Sequence, residues 1–147
     1  MITLIKHIIS TNTGFDTLAI RLAAGVIFTA HGAQKLFGWF GGYGLEGTAG
    51  WMASIGLEPA YLLALMAGSA EFFGGLFLIL GVLVRPSAIV LALTMIVAIV
   101  TVHLEHGLFM SNNGYEFGLA LFAISVALLV RGAGSLSADR LLVQKLS

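Results

Sequence analysis

Seven side chains of kinds that do chemistry stand in or beside apolar stretches of this sequence: Arg21, His31, Gln34, Lys35, Glu71, His103 and Glu116. The first four share one segment, TLAIRLAAGVIFTAHGAQKLFGWFGG, residues 17–42. An ionisable group at the centre of a membrane-inserted helix costs roughly 2.5–3.5 kcal/mol, so a segment that keeps several needs partners or a polar cavity. At about 100° per residue, Arg21, Gly25, Phe28, Gly32 and Lys35 form one stripe, with His31 about 40° from Lys35. Glu71, as a proton relay, and His31 are the candidate catalytic residues. Arg21, Lys35, Gln34, His103 and Glu116 are the candidate ligand-binding residues.

The elements that must hold these groups follow from composition. Of 147 residues, 59% are hydrophobic and 10% charged, against about 45–50% and about 25% in soluble domains. So few charges could not cover a water-facing surface, and the chain reads as a membrane protein. Zero net charge and the absence of a basic block exclude nucleic-acid binding. With no cysteine, no thiol centre, Cys-ligated iron–sulfur cluster or c-type haem attachment is available within this chain.

Four apolar spans are predicted, 17–37, 60–84, 86–102 and 114–130, the third and fourth near the lower limit of about 17–20 residues for crossing hydrocarbon. The predicted fold class is an all-α membrane protein: one domain over 1–147, built as a four-helix transmembrane bundle. Period-2 alternation with regular turn signals, which a membrane barrel requires, is missing. Between spans one and two lies a Gly- and aromatic-rich interfacial loop, GWFGGYGLEGTAGWMASIGLEP, with a short helix expected at 49–57. Arg85-Pro86 is expected to be the hairpin between spans two and three. Ser137 is expected to start a short amphipathic helix after the last span. The first sixteen residues read as an amphipathic interfacial lead-in, with Lys6 and His7 toward water, rather than a cleaved signal. Lys6, Arg21, Arg85, Arg131, Arg140 and Lys145 fall on one side and Lys35 on the other, predicting cytoplasmic termini in a bacterial inner membrane.

Depth then decides which groups can meet. Counted at about 1.5 Å per residue, Glu71 lies mid-span, His31 a little outward of mid-depth and Arg21 inward of it. Three states of Glu71 are open: neutral, paired with Arg21, or hydrogen-bonded to His31. A structural ion pair joining the first two helices is the plainer reading, and a ligand or proton site the functional one. His31, Gln34, Lys35, His103, Glu105, His106 and Glu116 gather toward the outer face, with Glu116 expected to point inward. They line a periplasmic cavity or are simply solvated. No Glu-x-x-His repeat supports a di-iron centre, and His-x-Glu-His at 103–106 supplies two of the ligands zinc would need. Metal and bis-histidine haem are both disfavoured. Gly68, Gly74, Gly75 and Gly81 suit close helix packing and would also leave room for a flat ring beside Glu71.

Several motifs in order resemble the DoxX family of small bacterial inner-membrane proteins. They are Arg21; HGxxKLFG at His31, Gly32, Lys35, Leu36, Phe37 and Gly38; ExxGG at Glu71, Gly74 and Gly75; and LGxxxRP from Leu80 to Pro86. NGYE follows from Asn113 to Glu116, then GxGxxSxD at Gly132, Gly134, Ser137 and Asp139. The resemblance implies a four-helix membrane bundle. The family is named after a subunit associated with a membrane thiosulfate:quinone oxidoreductase, and other members are linked to redox-stress complexes. The implied function is a membrane subunit or accessory of a quinone-linked redox system, with quinone or a small anion as ligand, an oxidoreductase subunit as partner and the lipid bilayer as surroundings. Two alternatives stand beside it: a small-solute or proton transporter, and a scaffold for soluble oxidoreductases through the 132–147 tail. A homodimer is compatible with either.

Overall fold

The computed structural model describes residues 14–146, so the expected lead-in around Lys6 and His7 lies outside the described residues. The described residues form six α-helices and no strand. They are α1 (Leu18–Phe37), α2 (Gly44–Ser54), α3 (Ala60–Leu80), α4 (Val84–Ala98), α5 (Glu116–Arg131) and α6 (Ala138–Leu146). From α4 the chain winds on through a π turn, Ile99–His103, and a 3-10 turn, Leu104–His106. Ala60–Leu80 and Val84–His106 are long and apolar enough to cross a membrane. Of the other two expected spans, α1 has 20 residues and α5 has 16.

The most extensive packing is between α1 and α3, then between α4 and α5, with α3 also against α4 and α2 laid on α1 and α3. Small residues cause the first of these. A Cβ on Gly32 would lie 2.3 Å from the Phe72 backbone nitrogen, and one on Gly75 would lie 2.5 Å from that of Thr29. Backbone therefore touches backbone, the arrangement that brings membrane helices closest. Phe28, Leu78, Leu91, Leu121 and Leu128 fill the main core, and Ala49, Met52, Ala60 and Ala64 form a smaller one under α2. Gly32→Ala is expected to cost about 1–3 kcal/mol, because the neighbour is backbone and cannot turn aside. A lower thermal unfolding midpoint in detergent would register it; an unchanged midpoint would show that α1 and α3 separate freely there.

Three expected boundaries move. The hairpin between α3 and α4 is Gly81–Leu83, and Arg85 and Pro86 lie inside the first turn of α4, where a missing proline N–H is harmless. α4 and its continuation reach His106, four residues beyond the expected end. The short helix α2 starts earlier than expected and runs through Gly47 and Gly50, because Thr48, Ala49 and Met52 are buried.

Candidate functional site

The polar side chains separate into two poles and an outer loop. At the first pole, Lys35 Nζ donates to Glu71 Oε2 at 2.5 Å, with the side chains 27% and 5% exposed. A short charge-assisted contact of this kind is among the strongest protein hydrogen bonds. Gly32 lies opposite Phe72, and Leu36 opposite Gly68, where a Cβ would meet Leu36 at 2.8 Å and Lys35 Cβ at 3.3 Å. The glycines thus draw the helices together around the pair. Helical side chains lean toward their own N-terminus, so the Lys35 stem slants back along α1 to the level of Glu71. The Lys35 carbonyl also accepts from Thr48 Oγ1 at 3.3 Å, which ties α2 to the same place.

The other outer candidates make different contacts. His31 is exposed, with its ring tilted against Phe117 at a centroid separation of 6.0 Å. Gln34 Nε2 donates to the Phe40 carbonyl at 3.2 Å and so holds the turn after α1. Phe37 meets Trp39 at 5.1 Å and Phe72 edge-on at 5.2 Å, and Phe72 meets Phe73 edge-on at 5.3 Å, an aromatic row along α1 and α3.

Arg21 defines the second pole, ten residues of α3 or about 15 Å of helix rise away from Glu71. It is 2% exposed. Its Nη1 donates to the Ala133 carbonyl at 2.8 Å and its Nη2 to the Leu136 carbonyl at 2.7 Å. Asp139, also 2% exposed, accepts from the Leu83 N–H at 2.8 Å and the Val84 N–H at 3.0 Å, capping α4 from 55 residues away. The Asp139 N–H donates to the Gly81 carbonyl at 2.9 Å. Ser137 Oγ donates to the Gly134 carbonyl at 2.7 Å and accepts from the Arg140 N–H at 3.3 Å, the N-cap expected of it. At Gly81, φ is +68° and a Cβ would lie 2.2 Å from Arg21 Nη1, so glycine suits both the turn and the guanidinium. Among the described residues, buried Thr17 Oγ1 and Arg21 Nε have no hydrogen-bond partner. Burial pushes the Asp139 carboxyl above the ordinary aspartate range, while the N–H groups of Val84 and Leu83 and the Arg21 charge pull it down.

On the outer loop, His103 Nδ1 donates to the Asn113 carbonyl at 2.8 Å, and the His106 and Glu105 side chains are 3.9 Å apart. Glu116 does not point inward as expected. It is exposed, and its Oε1 accepts from the Met110 N–H at 2.7 Å, because α5 begins only at this residue and the preceding loop has an amide to satisfy. A cavity of about 550 Å³ opens here, lined in part by Trp51, Thr101, Glu105 and His106. Among the described residues no three His, Asp or Glu side chains gather as metal ligands.

The expected meeting of Arg21, His31 and Glu71 therefore does not form: Glu71 takes Lys35 as partner, and Arg21 joins the last loop. Sequence reasoning missed Asp139 as the second member of the Arg21 pole. Its signal was the GxGxxSxD spacing, whose serine reads as a helix cap and whose aspartate lies two residues beyond it.

Among the described residues, two apolar helices of membrane length, one buried ion pair and a backbone clasp on Arg21 are the features of a small all-helical protein. The chain belongs to the DoxX family, which matches residues 17–104. It is similar to a Bacillus subtilis (strain 168) protein named "Putative oxidoreductase CatD", 37% identical over 119 residues, covering 80% of this chain and 82% of that one. It is also similar to an uncharacterized protein of Haemophilus influenzae (strain ATCC 51907 / DSM 11121 / KW20 / Rd), 35% identical over 86 residues, 58% of this chain and 57% of that one. No solved structure matches the chain.

Proposed function

We propose that this chain is a multi-pass inner-membrane subunit of a quinone-linked redox system, and that the Lys35–Glu71 pair is its working site. In this reading α1, α3, α4 and α5 cross the bilayer as a four-helix bundle with cytoplasmic termini. Supporting the orientation, Arg21, Arg85, Arg131 and Arg140 belong to one end of the bundle, whereas Lys35 is bound to Glu71 toward the other. A redox role is supported by the name of the Bacillus subtilis relative. The observation that carries the site is the 2.5 Å contact between a buried carboxyl and an ammonium left 27% exposed. Lys35 can present N–H donors to a ligand oxygen from the rim while Glu71 behind it gives or accepts the proton. Phe37, Phe72 and Phe73, packed edge-on one against the next, supply apolar ring surface on the same two helices.

The test compares wild type with Glu71→Gln in membrane vesicles, measuring quinone-dependent electron transfer, quinone extracted per chain and the unfolding midpoint. The amide keeps the shape and a hydrogen-bond acceptor but cannot carry the proton. The rate is expected to fall about 10²–10⁴-fold with folding retained. An unchanged rate would overturn the proton role.

A further inference from the structure

We propose that α6 docks flat on an anionic lipid surface, so that the end of this chain reads the headgroup charge of the leaflet beside it. The inference rests on the membrane-spanning reading above. α6 (Ala138–Leu146) follows α5 after only the six residues 132–137. Its start is fixed: the Asp139 carboxylate caps α4, and the Asp139 N–H is bonded to the Gly81 carbonyl. The helix is thus held where α3 ends and α4 begins, the level at which membrane-crossing helices leave the hydrocarbon. It cannot swing out into the aqueous phase without breaking that clasp.

What it presents from this position is both apolar and cationic. Leu136, Leu141 and Leu142 are 60%, 63% and 43% exposed. Asp139 is the one acidic residue between 132 and 146, and it is turned inward, so the formal charges left outside, Arg140 and Lys145, are both positive. Leu141 and Lys145 lie one turn apart on the face away from Asp139. A lysine there lays its stem along acyl chains and lifts its ammonium to the phosphates. Exposed leucines with basic residues, and no exposed carboxylate, are the chemistry of an interfacial helix on anionic lipid.

The sequence contains no cysteine, which makes a clean test possible. Full-length Leu141→Cys, labelled with an environment-sensitive dye, is assembled into nanodiscs of phosphatidylcholine alone or mixed with phosphatidylglycerol. Gln144→Cys, about 60° round the helix from Leu141 on the side of Arg140, is the comparison. The Leu141 label is expected to shift to the blue and to be quenched by nitroxide lipids in the phosphatidylglycerol discs, and less so in phosphatidylcholine or at high salt. The Gln144 label should shift less. Adding Arg140→Gln and Lys145→Gln is expected to weaken immersion about 30-fold, from about fivefold for each basic residue near the surface. Emission equal in both lipids, or insensitive to the double substitution, would overturn the proposal. So would a label that stays in water until a soluble protein is added. A chain that fails to enter discs at all would instead refute the membrane-spanning reading, and this inference with it.

Discussion

Replacing Lys35 with methionine is expected to destabilise the folded protein by about 3 kcal/mol. Breaking a buried ion pair by removing one partner typically costs about 3–5 kcal/mol, because the remaining charge is left uncompensated. The lower end applies here, since Lys35 is 27% exposed and water or a headgroup reaches part of the site, whereas Glu71 is 5% exposed. Methionine retains most of the stem that packs near Gly68, so the loss reports the charge rather than a cavity. Lys35→Met combined with Glu71→Leu is expected to recover most of the stability, because apolar replacement of a whole buried pair is often neutral or better. Unfolding midpoints of the two single variants and the double, in one detergent, close the cycle. The double variant also separates two roles. If the pair only holds α1 against α3, the stable double variant keeps quinone-dependent electron transfer. If Glu71 moves a proton, the variant loses it although it is folded.

That pairing marks the boundary of what could be read from sequence. The span predicted at 60–84 is legible because its apolar run is broken by one charged residue, Glu71, until Arg85, and the polar stripe of α1 is legible from spacing alone. The partner of Glu71 is not, because counting residues gives the depth of a Cα and not of a side-chain tip. Lys35 begins one turn outside His31, yet its stem leans back along α1 at the point where Gly32 lets Phe72 approach. The beginning of α4 fails for a different reason. Pro86 reads locally as the break in the hairpin, but the cap that sets the boundary at Val84 comes from Asp139, far along the chain. α2 runs through Gly47 and Gly50 because burial of Thr48, Ala49 and Met52 outweighs the weak helix preference of glycine. Each difference is a long-range contact prevailing over a local signal. The same contacts explain why Arg21, read as a ligand group, is occupied by two carbonyls.

Arg21→Met should produce the other large effect, a loss of about 3–5 kcal/mol that grows as pH rises. Two charged hydrogen bonds to the carbonyls of Ala133 and Leu136 disappear, and Asp139 keeps its two amide partners but loses the nearby positive charge. The pH dependence follows from Asp139. Burial holds its folded-state pKa above the ordinary aspartate range, so the folded state binds the proton more tightly than the unfolded one. Its contribution to stability is fully present below the unfolded pKa and is lost as pH rises through the folded pKa. Arg21 opposes that loss, and without it the folded pKa climbs further and the decline extends to higher pH. The gap between wild type and variant should therefore be smallest in acid, where Asp139 is neutral in both, and widest once Asp139 is ionised in both. Unfolding midpoints across the acid-to-neutral range measure this gap, and amide exchange in α6 shows where it acts. Exchange should quicken from Asp139 onward, because the clasp is what fixes the start of that helix. Arg21→Lys is expected to recover only part of the loss, since one ammonium cannot reproduce the fork that spans two carbonyls. A gap independent of pH would assign the role of Arg21 to the carbonyls of Ala133 and Leu136 alone and leave Asp139 purely as the cap of α4.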